Sequence, residues 1–145
     1  VAQIPAGTEV VQVFDSWAGC LAPAEFERWV VRPMAQIMAS VGHLVPVIGF
    51  PRGAGQHLPS YVRETGVTAV GLDETAVPDG LPPDLPVQGN LDPMALLAGG
   101  QALEVALAEV MRRFAGRPHI LNLGHGIDKE TPIAHVEALL ARVRG

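Results

Sequence analysis

Short apolar runs rich in β-branched residues recur along the chain, and most are followed by stretches whose apolar residues fall three or four apart. Residues 9–14, 44–50, 67–72, 85–89 and 119–123 are the five runs. Their near-continuous apolarity predicts short strands buried on both faces, as in a parallel sheet. Between the first two, Phe26, Trp29, Val30, Pro33, Met34, Ile37, Met38 and Val41 share one face of a helix over about 24–41. Pro33 should kink it, because its ring and missing N–H break one turn of bonding. A second helix is predicted over 56–65, ended by Gly66. Asp92-Pro93 reads as an N-cap followed by proline at the first helical position, with helix resuming over about 101–114. Thr131-Pro132 repeats that device ahead of a last helix over 133–142. Residues 74–85 contain no helical pattern, and the four prolines at 78, 82, 83 and 86 forbid a normal crossover helix there.

Strands alternating with helices define an α/β fold in one domain spanning residues 1–145. Two architectures satisfy the pattern: the last part of an eight-stranded (β/α)8 barrel, or a five-stranded open doubly wound sheet. Composition narrows the function without choosing between them. Apolar residues make up 48% of the 145, enough for a real core. No apolar run reaches the roughly 18 residues of a membrane span. The start does not resemble a signal peptide, and the lone Cys20 excludes an internal disulfide or a multi-cysteine metal site. A reducing compartment, the cytoplasm, is the expectation. The net charge of −5 argues against a nucleic-acid groove. Nine of the ten basic residues are arginine, which grips carboxylates in a bidentate fork, so an anionic ligand stays open.

In both architectures ligands bind at the carboxyl ends of the strands. Those ends carry Asp15, Ser16 and Trp17; Arg52 and Gly53-Ala54-Gly55; Asp73 and Glu74; Gln88, Asn90 and Asp92; and Asn122, His125 and Asp128. Asp92 reads as a helix cap. Gly53-Ala54-Gly55 lacks the spacing of a phosphate-binding fingerprint and reads as a turn. Arg52 is equally a ligand for a carboxylate or a surface arginine. Ser16 has no GxSxG elbow. His125 between two glycines allows close approach to a ligand, while a purely structural histidine is the plainer reading. His43, His57, His119 and His135 have no metal-type spacing and read as surface or packing residues.

QVFDSWAG, VIGFPRGAG, VGLD, VQGNLDP and ILNLGHGI, in this order, resemble the strand-end signatures of the uroporphyrinogen decarboxylase family, in its C-terminal part. The resemblance implies a fragment of a (β/α)8 barrel, a homodimer in the full-length protein, and no metal or organic cofactor. It implies decarboxylation of the four acetate side chains of uroporphyrinogen to give coproporphyrinogen, in porphyrin and heme biosynthesis. By the same resemblance Phe14 packs against the tetrapyrrole, Ser16 lies beside the substrate, and His125 belongs to the NLGHG motif at the cleft. Arg52 stands where the family usually has lysine and would keep a cationic role; Asp73 joins these as a substrate-binding residue. His125 and Ser16 are the catalytic candidates. Glu74 stands where the family usually has tryptophan, and the proline-rich loop replaces a helix. Two other readings remain. A cobamide-linked methyltransferase of the same superfamily would hold zinc through cysteines that this chain lacks. A non-catalytic half-barrel module would bind a partner. Trp17 is left as packing, and the isolated chain is expected to be inactive.

Overall fold

The computed structural model describes residues 2–144. Its five strands are β1 (Val11–Asp15), β2 (Val47–Pro51), β3 (Ala69–Gly71), β4 (Val87–Gln88) and β5 (His119–Ile120), all parallel. They lie side by side in chain order, β1-β2-β3-β4-β5. That order excludes the open doubly wound alternative, whose strand order must reverse at a switch point. It is the order of successive barrel strands.

Curvature points the same way. The register aligns Gln12, Ile48 and Ala69 across β1 to β3, and Gly71, Gln88 and Ile120 across β3 to β5. In a flat sheet β1 and β4 would stand roughly 14 Å apart. The Gln88 side-chain amide nevertheless donates to Gln12 Oε1 at 3.2 Å. The sheet therefore bends so that this face is concave. Small residues at Ala69 and Gly71 clear the space; a Cβ on Gly71 would meet Phe50 Cδ2 at 2.6 Å.

The helices α1 (Pro23–Phe26), α2 (Arg32–Val41), α3 (Leu58–Thr65), α4 (Pro93–Ala98), α5 (Gly100–Arg113) and α6 (Ile133–Arg144) supply the other layer. Phe26, Met34, Val47, Tyr61, Val70, Val87, Leu96, Leu103 and Phe114 belong to one buried cluster that packs helices against sheet. Each fully buried large apolar side chain there contributes about 1.5–3 kcal/mol. Gly49 lets Tyr61 of α3 lie close against β2: a Cβ there would strike the Tyr61 ring, 3.0 Å from Cε1. Burial, and after it the Asp15 charge, push the Tyr61 phenol well above its ordinary range, so it stays protonated.

The predicted kink at Pro33 takes a specific form. Residues Glu27–Val31 make a π turn between α1 and α2, with the Arg32 amide bonded to Glu27 O. Widening the ring by one residue absorbs the hydrogen bond that proline cannot donate. Gly66 ends α3 at φ 68°, a left-handed cap as expected. Asp92 caps α4 by accepting from the Met94 amide at 2.8 Å. The helix that follows is broken into α4 and α5, because Gly99 and Gly100 both take positive φ. Thr131 does not repeat the Asp92 device: its hydroxyl is buried with no hydrogen-bond partner. The β3–β4 connection holds turns and no helix, with Leu81 buried and the Arg117 guanidinium donating to Pro82 O and Leu85 O.

Candidate functional site

Phe14, near the end of β1, turns its ring to the concave face. It stands edge-on to Phe50 with centroids 5.7 Å apart, yet keeps 66% of its surface exposed. An aromatic ring left this open at a strand end offers a flat apolar contact. Ser16 follows on the turn, where the Trp17 amide is bonded to Asp15 Oδ1 at 3.3 Å. Trp17 does not pack inside: it is 76% exposed on the rim, because the turn after Asp15 lifts it clear of the cluster formed by Ala18 and Phe26.

From the far side of the sheet comes the 122–128 segment. Leu91 and Leu123 make a parallel bridge that extends the β4–β5 pairing, and the Gly124 amide donates to Leu91 O at 2.8 Å. This places the exposed His125 over the mouth of the curve. Gln12, Phe14, Ser16, Phe50, Leu72, Gln88, Asn122, His125 and Ile127 line one cleft of about 460 Å³. The first and last strand ends, more than a hundred residues apart in sequence, thus face one space. Neither the Ser16 hydroxyl nor the His125 ring is engaged by another described side chain, so both are free to meet a ligand.

Arg52 and Glu74 stand beside this cleft and line two further hollows. One is shared with Ser16, Trp17 and Asp73, the other with His125, Asp128 and Lys129. Their side chains form an ion pair with one N–O contact of 3.4 Å. Asp73 is 4% exposed and lies beneath them. Its carboxylate accepts from the Gly53 amide at 2.8 Å, the Thr75 amide at 2.9 Å and the Thr75 hydroxyl at 2.5 Å. Burial alone would raise this carboxyl. The Thr75 hydroxyl and the amides of Gly53, Thr75 and Ala76 outweigh burial and hold it below the usual carboxylate range.

The geometry therefore separates the residues singled out in the sequence. Phe14, Ser16 and His125 share the main cleft, and Arg52 stands at its side. Asp73 has its acceptors turned to the chain itself, tying the Gly53 turn after β2 to the end of β3. Gly53-Ala54-Gly55 is the turn it appeared to be, with Gly53 at φ 72° pressed against Gly19. Sequence reasoning missed the Gln12–Gln88 contact at the cleft floor and the role of Gly124. A Cβ on Gly124 would fall on the Glu74 amide nitrogen, so the 122–128 segment rests directly on the end of β3. Of the four other histidines read as surface or packing residues, His43 is exposed and the other three pack. His57 stacks on Phe26, His119 stacks on Phe114, and His135 bonds to the Leu96 and Leu97 carbonyls.

The family profile described as uroporphyrinogen decarboxylase matches residues 1–145. The uroporphyrinogen decarboxylase of Rhizorhabdus wittichii is 61% identical over 150 residues, covering 99% of this chain and 44% of the relative. Those of Sphingopyxis alaskensis and Maricaulis maris are 57% and 51% identical, each again over 99% of this chain and 44% of the relative. The chain thus spans less than half the length of the curated relatives it matches. No helix among the described residues is long and apolar enough to cross a membrane.

Proposed function

The chain belongs to the uroporphyrinogen decarboxylase family, and from that premise we propose that it forms the C-terminal part of an enzyme that decarboxylates uroporphyrinogen to coproporphyrinogen. The observation that carries the proposal is the convergence of Phe14, Ser16 and His125 on one cleft at the carboxyl ends of the strands. The enzyme works in the cytoplasm as a homodimer, on a tetrapyrrole substrate and without a metal or organic cofactor. Nucleic acid and membrane are not its partners.

The reaction needs an electron sink. Protonating a pyrrole carbon makes the ring cationic. The acetate C–C bond then breaks, its electron pair moves into the ring, and carbon dioxide leaves. A proton added to the exocyclic carbon gives the methyl group, and loss of the ring-carbon proton restores the pyrrole. Each of four such rounds consumes one proton overall. The protein must hold the carboxylate, deliver protons and exclude water.

Phe14 offers its exposed ring to the face of the macrocycle. The Ser16 hydroxyl donates to a substrate carboxylate, and Arg52 supplies a fixed positive charge beside it. His125 orients a carboxylate or relays a proton. Asp73 acts beneath the substrate as a positioning residue, through the Gly53 turn that follows Arg52. Product analysis tests the reading. Full-length protein carrying this chain, supplied with uroporphyrinogen and no added cofactor, should yield coproporphyrinogen and four equivalents of carbon dioxide. A folded protein that leaves the substrate intact rules the reading out.

A further inference from the structure

The ion pair between Arg52 and Glu74 is poorly made for its position. A guanidinium and a carboxylate can form two parallel bonds shorter than 3 Å, yet here one contact of 3.4 Å joins them. The second carboxylate oxygen, Glu74 Oε2, is buried with no hydrogen-bond partner. The pair cannot improve by moving backbone. The Arg52 amide is bonded to Asp15 O, the Arg52 carbonyl accepts from the Gly19 amide, and the Glu74 backbone is braced by Gly124. Both side chains are partly exposed, at 35% and 26%, and hollows open on either side of them.

We propose that Glu74 is a placeholder: its carboxylate occupies, on Arg52, the position that a carboxylate of the bound substrate takes. Substrate binding then exchanges one carboxylate for another at the same guanidinium. This rests on the substrate assigned above, although the exchange itself requires only an anionic carboxylate beside Arg52. Glu74 makes Arg52 selective. A neutral ligand that displaces Glu74 loses the ion pair and gains nothing, whereas a carboxylate restores what it removes. Glu74 thereby favours the polycarboxylate substrate at some expense in affinity.

In the full-length protein, Glu74→Gln removes the competing charge and keeps the shape. The KM for uroporphyrinogen should fall about two- to fivefold, the range of a partly exposed ion pair, with kcat moving less than that. Arg52→Gln should raise KM, and adding Glu74→Gln to it should change nothing further. Glu74→Ser gives the same direction should the glutamine amide disturb folding. Binding of mellitate, a plain benzene hexacarboxylate, should tighten in Glu74→Gln by a similar factor. Unchanged or weaker mellitate binding in both Glu74 variants, or an equal gain in the Arg52→Gln background, overturns the placeholder. Wild-type protein that binds mellitate but does not turn over uroporphyrinogen overturns the substrate assignment instead, and the mellitate comparison still decides the exchange.

Discussion

Gln12 on β1 and Gln88 on β4 are joined by a side-chain hydrogen bond across two intervening strands. The contact records how sharply the sheet bends, and it seals the floor of the cleft beneath Phe14. Removing one partner strands the other's amide in a half-buried site. Gln88→Leu should therefore cost about 1–3 kcal/mol of stability. The double change Gln12→Leu with Gln88→Leu should cost less than the sum of the singles. Chemical denaturation of the full-length variants checks this, and strict additivity would deny the coupling.

Asp73 makes a pH prediction. Its folded pKa is held below the ordinary value of about 3.9, so its contribution is fully present above that value. It is lost as pH falls through the depressed folded value. Asp73→Asn places an amide against the donors of Gly53 and Thr75. It should cost about 1–3 kcal/mol at neutral pH. It should also flatten the stability loss below about pH 4. Melting curves taken from neutral pH down through and below the ordinary carboxylate range, about pH 4, read both effects.

Gly124 lies against the backbone of Asp73 and Glu74. Gly124→Ala must push the 122–128 segment away from the end of β3, at about 1–3 kcal/mol. Because that segment carries His125, turnover should fall by more than the stability loss explains. A variant that melts lower but keeps full kcat would detach Gly124 from the site.

The isolated 145-residue chain should be inactive and should self-associate. Phe14 and Ile120 on the concave face are 66% and 47% exposed, and β1 and β5 are open edges among the described residues. Sedimentation at several concentrations tests association. Uroporphyrinogen turnover by the isolated chain contradicts the expected inactivity.

All five strands were legible in the sequence because each is a short, mostly apolar run, and so was the helix-free β3–β4 connection, because proline leaves no room for a helix. Strand ends were not. The paired core of β4 is Val87–Gln88, while apolar neighbours such as Leu85 merely pack against the cluster. The choice between barrel and open sheet was also out of reach, since strand order is a non-local property. Asp92 announced its cap, whereas Thr131, with the same Pro after it, points its hydroxyl into a buried, unpartnered place. At the candidate site the strand-end rule pointed to Ser16, Arg52 and His125, and the family resemblance added Phe14. It did not find Gln12 against Gln88, Arg52 against Glu74 or Gly124 under Glu74. Those pairs lie on different strands, and no local spacing encodes them.

The central claim is that Ser16 and His125 act on one bound tetrapyrrole from opposite ends of this sheet. Steady-state turnover of uroporphyrinogen by full-length His125→Ala and Ser16→Ala tests it most directly, with melting temperatures confirming that both variants fold. Loss of a proton-relaying or orienting imidazole should lower kcat/KM about 100-fold or more. Loss of the hydroxyl contact should lower it about tenfold, the equivalent of one hydrogen bond to a charged group. Wild-type kinetics in both folded variants would contradict the account.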